Sequence, residues 1–170
     1  MDRDGVLTKE KGYVGSGDGL EVFPYVAECI EEIHAKGYYA IVVTNQSGVA
    51  RGLIREEKLQ EMNELLIMWT GVDAVYYCPH HPAGKIAEFR KTCDCRKPGT
   101  GMFEAAKERF SVDMEKSYMV GDRACDIMAG QNAGVRTVLL ESGYGTAGLE
   151  ERVEPDYVLD DLRDVVKILL

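Results

Sequence analysis

Positive charge is scarce in this 170-residue chain: 20 lysines and arginines face 29 aspartates and glutamates, for a formal net charge of -9. A nucleic-acid backbone or an anionic membrane surface is held by a basic face, so this balance excludes both as partners. A small anionic substrate stays open, because a few focused cations hold one even in an acidic protein. Long apolar runs are missing as well; no stretch approaches the ~20 residues that span a bilayer. The amino end, Met1-Asp2-Arg3-Asp4, is polar from the start and lacks the apolar core of a secretion signal. Together these absences predict a cytoplasmic location. There is no internal repeat and no low-complexity linker. Cysteine is sparse but uneven: of five, Cys78, Cys93 and Cys95 crowd into 18 residues. In a reducing compartment that pattern points to metal before disulfide.

What is present fits one domain over residues 1–170, a length sufficient to bury its own core. Hydrophobic residues make up 45% and charged residues 29%, an ordinary globular balance. Apolar runs predict buried strands over Tyr39–Val43 (ending at Thr44), Ala74–Tyr77, Ser117–Val120, Arg136–Leu140 and Tyr157–Leu159. Between them, helical patterns cover about Val26–Ala35, Glu56–Trp69, Met102–Arg109, Asp126–Ala133 and Leu162–Leu169, and Gly37, Gly71 and Gly134 stand where helices end. Continuous apolar strands alternating with amphipathic helices predict an α/β fold, a three-layer parallel sheet with helices on both faces and no large cap domain. The one long irregular connection is Pro79–Pro98, and a loop of that length in a compact domain is functional or held in place by something.

Four short segments carry the chemistry. Asp2-Arg3-Asp4-Gly5 sets two carboxylates at i and i+2 before a turn that Gly5 permits. Thr44-Asn45-Gln46-Ser47-Gly48 follows a buried strand, where a hydroxyl and successive amides suit phosphate oxygens. Arg96-Lys97-Pro98 puts two cations ahead of a helix, and Gly121-Asp122-Arg123-Ala124-Cys125-Asp126 follows another buried strand. In a parallel sheet such strand ends share the carboxyl edge, where α/β proteins place their ligands. Taken singly, each segment reads as surface acids, a solvated lysine or a turn; four in this order do not.

The set Asp-x-Asp-Gly, Thr-Asn-Gln-x-Gly, Arg-Lys-Pro and Gly-Asp-x-x-x-Asp resembles the haloacid-dehalogenase superfamily of phosphatases, from Asp2 to about Gly145. Within it the chain resembles the branch of heptose-bisphosphate and histidinol-phosphate phosphatases. The resemblance implies that Asp2 is the nucleophile and Asp4 the general acid and base. It implies that Thr44 and Lys97 hold the transferring phosphoryl group. Magnesium would be held by Asp2, Asp122 and the carbonyl of Asp4, with Asp126 orienting Lys97. The chemistry agrees: a carboxylate attacking a phosphate dianion meets like charge, which magnesium, Lys97 and nearby amides offset.

Cys78-Pro79-His80 and Cys93-Asp94-Cys95 bracket the twelve residues His81–Thr92. Three thiolates and an imidazole in two close pairs suit tetrahedral zinc in a closed structural site, stapling the loop over about 78–95. His81 competes with His80 as fourth ligand, and the resemblance favours His80. Cys78-Pro79-His80-His81-Pro82, Glu88-Phe89-Arg90 and Gly48-Val49-Ala50-Arg51-Gly52 are similar to the heptose branch, whereas histidinol-phosphate phosphatases have a shorter loop. A small sugar bisphosphate is therefore the expected substrate of a monomeric enzyme, with Asn45, Arg51, Arg96 and Arg123 as candidate contacts. Histidinol phosphate is the rival substrate.

One departure stands out. Relatives with this pattern carry an apolar strand just before the first aspartate, and here only Met1 precedes Asp2. That strand would lie mid-sheet, so its absence predicts two edges without a partner and a nucleophile without rigid support. A chain beginning at Met1 is then expected to be either a shortened version of a longer product or a weakened fold, and a catalytically weakened, zinc-bearing interaction domain is the alternative to which that departure lends weight.

Overall fold

The computed structural model describes residues 1–12, 19–149 and 152–169. Five strands and five helices alternate in it: α1 (Val26–Ala35), β1 (Ile41–Asn45), α2 (Glu56–Thr70), β2 (Ala74–Cys78), α3 (Gly101–Phe110), β3 (Tyr118–Gly121), α4 (Ala124–Ala133), β4 (Arg136–Leu140), β5 (Tyr157–Leu159) and α5 (Leu162–Ile168). Every strand pair is parallel: β1 with β2, and β4 between β3 and β5.

Side-chain alternation along the strands divides the core into two layers, as a period of two requires. Val42 of β1 and Val120 of β3 join one cluster; their neighbours Val43 and Met119 join the other. The first cluster is closed by α1, α2 and α5 through residues such as Ile30, Leu66 and Leu162, the second by α3 and α4 through Phe103 and Ala129. In α1 the buried positions Val26, Cys29, Ile30 and Ile33 fall on one stripe at i, i+3, i+4 and i+7. Helices therefore cover both faces of a parallel sheet, as the sequence predicts. No helix among the described residues is long and apolar enough to cross a membrane.

Several element ends differ from the sequence reading by about one residue, and two starts differ by two for local reasons. β1 begins at Ile41 and not Tyr39, because Asp73 takes over the preceding residue: its carboxylate accepts the Ala40 amide at 2.7 Å and its own amide donates to the Ala40 carbonyl at 2.8 Å. α4 begins at Ala124, two residues early, because the Asp126 side chain reaches back to accept the Arg123 amide at 3.1 Å.

Between β1 and β3 the sheet is bridged at one point. The Met1 amine donates to the Ile41 carbonyl at 2.8 Å, the Val43 amide donates to the Met1 carbonyl at 2.9 Å, and the Asp2 amide donates to the Val120 carbonyl at 2.8 Å. Below that bridge lies a slot of about 460 Å³, lined by apolar side chains that include Ile33, Ile41, Val43, Phe103 and Val120. Met1, next to Asp2 in the chain, is among the residues that line it.

Candidate active site

Because the strands are parallel, β1 and β3 end on the same edge, and the chain segments leaving them meet the turn after Asp2. Lys97 is the hub of this meeting. It is buried, and its Nζ lies 3.0 Å from Asp2 Oδ1 and 2.6 Å from Asp126 Oδ1 while donating to the Val43 carbonyl at 2.8 Å. Its backbone is clamped by Asn45, whose Oδ1 accepts the Lys97 amide at 2.9 Å and whose Nδ2 donates to the Lys97 carbonyl at 3.1 Å. Burial works against the Lys97 ammonium, but Asp126 and Asp2 outweigh it and hold it above its usual range. Burial likewise works against the Asp2 carboxylate; Lys97, the Thr44 hydroxyl and the Arg3 amide overcome it and keep Asp2 ionised below the usual carboxylate range.

Asp122 has the opposite balance. Burial, foremost, pushes it up to about 7; the Tyr144 amide works against that shift, and the charges of Asp2 and Asp126 add to it. The Tyr144 amide donates to Asp122 Oδ2 at 3.0 Å, whereas Asp122 Oδ1 is buried with no partner among the described residues. A buried orphan oxygen is costly unless something outside the chain meets it. Asp2, Asp122 and Asp126 each offer a carboxylate oxygen, all within 4.8 Å of one another. Asp126 is engaged by Lys97 and by the Asp122 and Arg123 amides, which leaves Asp2 and Asp122 as a hard-oxygen seat that suits a divalent cation such as magnesium. Two glycines make room for it. A Cβ on Gly5 or Gly143 would run into the Asp122 carboxylate, and Gly5 has a φ of +84° besides.

Asp4 sits on the facing wall, held by the Arg3 guanidinium (Nη2 to Oδ2, 2.9 Å), by Gln46 Nε2 at 2.8 Å and by the Thr8 hydroxyl at 3.0 Å. Gln46 Nε2 also donates to Thr44 Oγ1 at 3.0 Å, tying the two walls together. The cavity in front, about 240 Å³, is lined by Asp2, Asp4, Asn45, Arg96, Lys97 and Arg123 among others. The arrangement offers an ionised carboxylate beside a buried ammonium, a second carboxylate opposite, and a cation seat, which is the equipment for phosphoryl transfer.

A second cluster lies on the Pro79–Pro98 loop. The sulfur atoms of Cys78, Cys93 and Cys95 are 3.0–3.4 Å apart, and His80 Nδ1 lies 3.2–3.7 Å from all three. Four donors at such spacings surround one common centre, and ligands at about 2.3 Å from zinc stand at similar mutual distances. His81 turns elsewhere: its Nδ1 accepts the Ala83 amide and its Nε2 meets Arg51 at 3.2 Å.

The remaining candidates divide. Arg96 and Arg123 line the cavity in front of Asp2 and Asp4. Arg51 is not among its lining residues and faces the zinc loop through His81. Sequence reasoning missed several groups that shape the site. Arg3, 2% exposed, grips Asp4 and bonds Gln46 and Asn63. Ser142 donates to the Gly5 carbonyl at 2.7 Å, and Tyr144 supplies the Asp122 amide bond. Arg3 could have been suspected from an arginine lodged between two site aspartates; the loop at Ser142–Tyr144 carries no such signal.

With this geometry in hand, likeness to known proteins is informative. A family model described as HAD-hydrolase-like matches residues 94–165. The D-glycero-beta-D-manno-heptose-1,7-bisphosphate 7-phosphatase of Haemophilus ducreyi is 40% identical over 98% of this chain and 94% of that protein. The enzyme of that name from Escherichia coli (strain K12) is 40% identical over 97% of this chain and 89% of its own. The crystal structure of D,D-heptose 1.7-bisphosphate phosphatase from B. bronchiseptica, complexed with magnesium and phosphate, superposes with a TM-score of 0.82 at 31% identity, covering 98% of this chain and 93% of that one. The chain belongs to the family of D-glycero-beta-D-manno-heptose-1,7-bisphosphate 7-phosphatases, within the HAD-like hydrolases.

Proposed function

We propose that this chain is a magnesium-dependent phosphatase that removes the 7-phosphate of D-glycero-D-manno-heptose 1,7-bisphosphate through a phosphorylated Asp2. The observation that carries the reading is the pairing of an ionised Asp2, held by Lys97 and Thr44, with the orphaned Asp122 Oδ1 beside it. An Asp2 oxygen attacks phosphorus, and the bond from phosphorus to the sugar oxygen breaks. Asp4 gives its proton to the departing oxygen. Asp4 then takes a proton from water, whose oxygen attacks the phospho-aspartate; inorganic phosphate leaves and Asp2 is restored. Splitting one displacement into two lowers each barrier. Lys97 stays charged throughout and meets the charge spread over the phosphoryl oxygens. Asp2, Asp122 and the Asp4 carbonyl would hold magnesium, which supplies further neutralisation of that charge when bound. Cys78, His80, Cys93 and Cys95 would hold a structural zinc that fixes the loop leading into Arg96 and Lys97. Arg96 and Arg123 are the groups we assign to the substrate's second phosphate.

The reading takes residues 1–170 as one phosphatase domain acting as a monomer in the cytoplasm, on a small molecule and on neither nucleic acid nor membrane; the net charge of -9 supports the last point. The test is side-by-side turnover of the heptose bisphosphate and histidinol phosphate with magnesium, with metal analysis on the same sample. We expect a clear preference for the bisphosphate and one zinc per chain; a preference for histidinol phosphate, or turnover indifferent to magnesium, overturns the proposal.

A further inference from the structure

A substrate with two phosphates poses a problem that Asp2 and Lys97 do not solve, namely where the non-reacting phosphate is held and what rejects a molecule that lacks it. Arg123 lines the cavity in front of Asp2, one residue beyond Asp122, and its side chain is 44% exposed. A guanidinium on so open a stem samples many rotamers unless something holds it. Here two groups from distant segments do. Glu10 Oε2, from the loop after Asp4, accepts from Arg123 Nη2 at 2.8 Å. The ring of Tyr144, from the loop after β4, stacks on the guanidinium, with Cζ 4.1 Å from its centroid. Both Glu10 and Tyr144 line the same cavity.

The two contacts use different parts of the guanidinium. Stacking occupies its flat face and leaves the edge N–H groups free to meet an anion. Glu10 occupies that edge. A phosphate dianion carries more charge than a carboxylate and accepts the same fork of donors, so it competes directly with Glu10 for Arg123. A singly phosphorylated compound with its phosphate at Asp2 cannot.

We propose that Tyr144 and Glu10 are positioning residues that set the preference for doubly phosphorylated substrates: Tyr144 fixes the Arg123 guanidinium for the non-reacting phosphate, and Glu10 occupies it until that phosphate displaces the carboxylate. The inference rests on the bisphosphate reading given above. Glu10 has a second consequence, since its charge opposes retention of a product that still carries one phosphate.

The experiment measures KM and kcat for the heptose 1,7-bisphosphate and for the same sugar bearing the 7-phosphate alone, in wild type, Tyr144→Leu, Tyr144→Phe and Glu10→Gln. The readout is the ratio of the two KM values. Tyr144→Leu should raise KM for the bisphosphate relative to the monophosphate by about three- to tenfold, the worth of a cation–π contact. Tyr144→Phe, which keeps a ring, should restore the wild-type ratio. Glu10→Gln should move the ratio the other way by about twofold, as expected for a partly exposed ion pair. If Tyr144→Leu shifts both substrates together, if Phe fails to restore the ratio, or if Glu10→Gln weakens bisphosphate binding, the proposal is wrong. Should Tyr144→Leu not fold, Tyr144→Phe and Glu10→Gln still decide it. Wild type separates the two levels: no preference for the bisphosphate there removes the substrate reading and this inference with it, whereas a preference that the variants leave untouched removes the inference alone.

Discussion

The chain gathers two sets of metal-binding atoms, and they are built on opposite plans. Cys78 ends β2 and His80, Cys93 and Cys95 follow on the loop after it, so the four donors come from one stretch of chain and lie against one another. Asp2, Asp122 and Asp126 come from the amino end, the turn after β3 and the first turn of α4, are knitted to β1 and the loop beyond by Lys97, and leave Asp122 Oδ1 buried without a partner among the described residues. The first is a closed site that holds a loop. The second is an open site that the whole sheet must hold. The dependence runs one way, because Lys97 lies two residues beyond Cys95 while nothing in the sulfur cluster leans on the carboxylates.

Removing the nucleophile should give the largest effect. Asp2→Asn is expected to lower turnover by at least about 10⁴-fold while zinc content stays that of wild type. Loss of zinc with this change would break the one-way relation. Removing a sulfur ligand should injure both sites. Cys95→Ala is predicted to cost about 3 kcal/mol of stability, roughly 6–12 °C in the thermal midpoint for a chain of this size, and to lower turnover as well, since Arg96 and Lys97 lose their anchor. A variant with normal melting and normal turnover would show the cluster to be dispensable.

The two sites also differ in how far they could be read from sequence. The sulfur cluster is local, so its spacing announced it, and only the choice between His80 and His81 needed the structure to show His81 turned toward Arg51. The layered parallel sheet was legible because strand and helix periods differ. The carboxylate site was legible as a set of strand-end residues, but not in its support. Nothing in the sequence of Ser142-Gly143-Tyr144 says that its amide meets Asp122, because a loop's path depends on what it packs against. Asp73 shortening β1 is a case of the same kind: one side chain replaced a ladder bond, and propensity does not see that. Arg51 marks the limit of carrying a pattern over by spacing, since the fold turns it toward the loop and away from the cavity lining.

The smallest effect we predict comes from the orphaned oxygen itself. Burial, chiefly, pushes Asp122 up to about 7 from an ordinary 3.8, so between those values the folded protein keeps a proton that the unfolded chain has released. Stability from this group is complete below 3.8 and is lost as pH rises toward about 7, because the unfolded state binds fewer protons throughout that window. Asp2, lowered in the folded state, changes its contribution only below the ordinary carboxylate value. His80 and His81, held below 6.5 chiefly by burial, act in the opposite direction, so the raw pH profile mixes two trends. Asp122→Asn isolates one of them. In magnesium-free buffer, the melting temperature of wild type minus that of Asp122→Asn should fall by roughly 5–9 °C between pH 5 and pH 7, the equivalent of about 2 kcal/mol. Saturating magnesium, which requires the ionised carboxylate, should abolish that fall. A difference that is flat with pH in both buffers would mean that Asp122 is already ionised without a cation, and the contrast between an open and a closed site would lose its electrostatic basis.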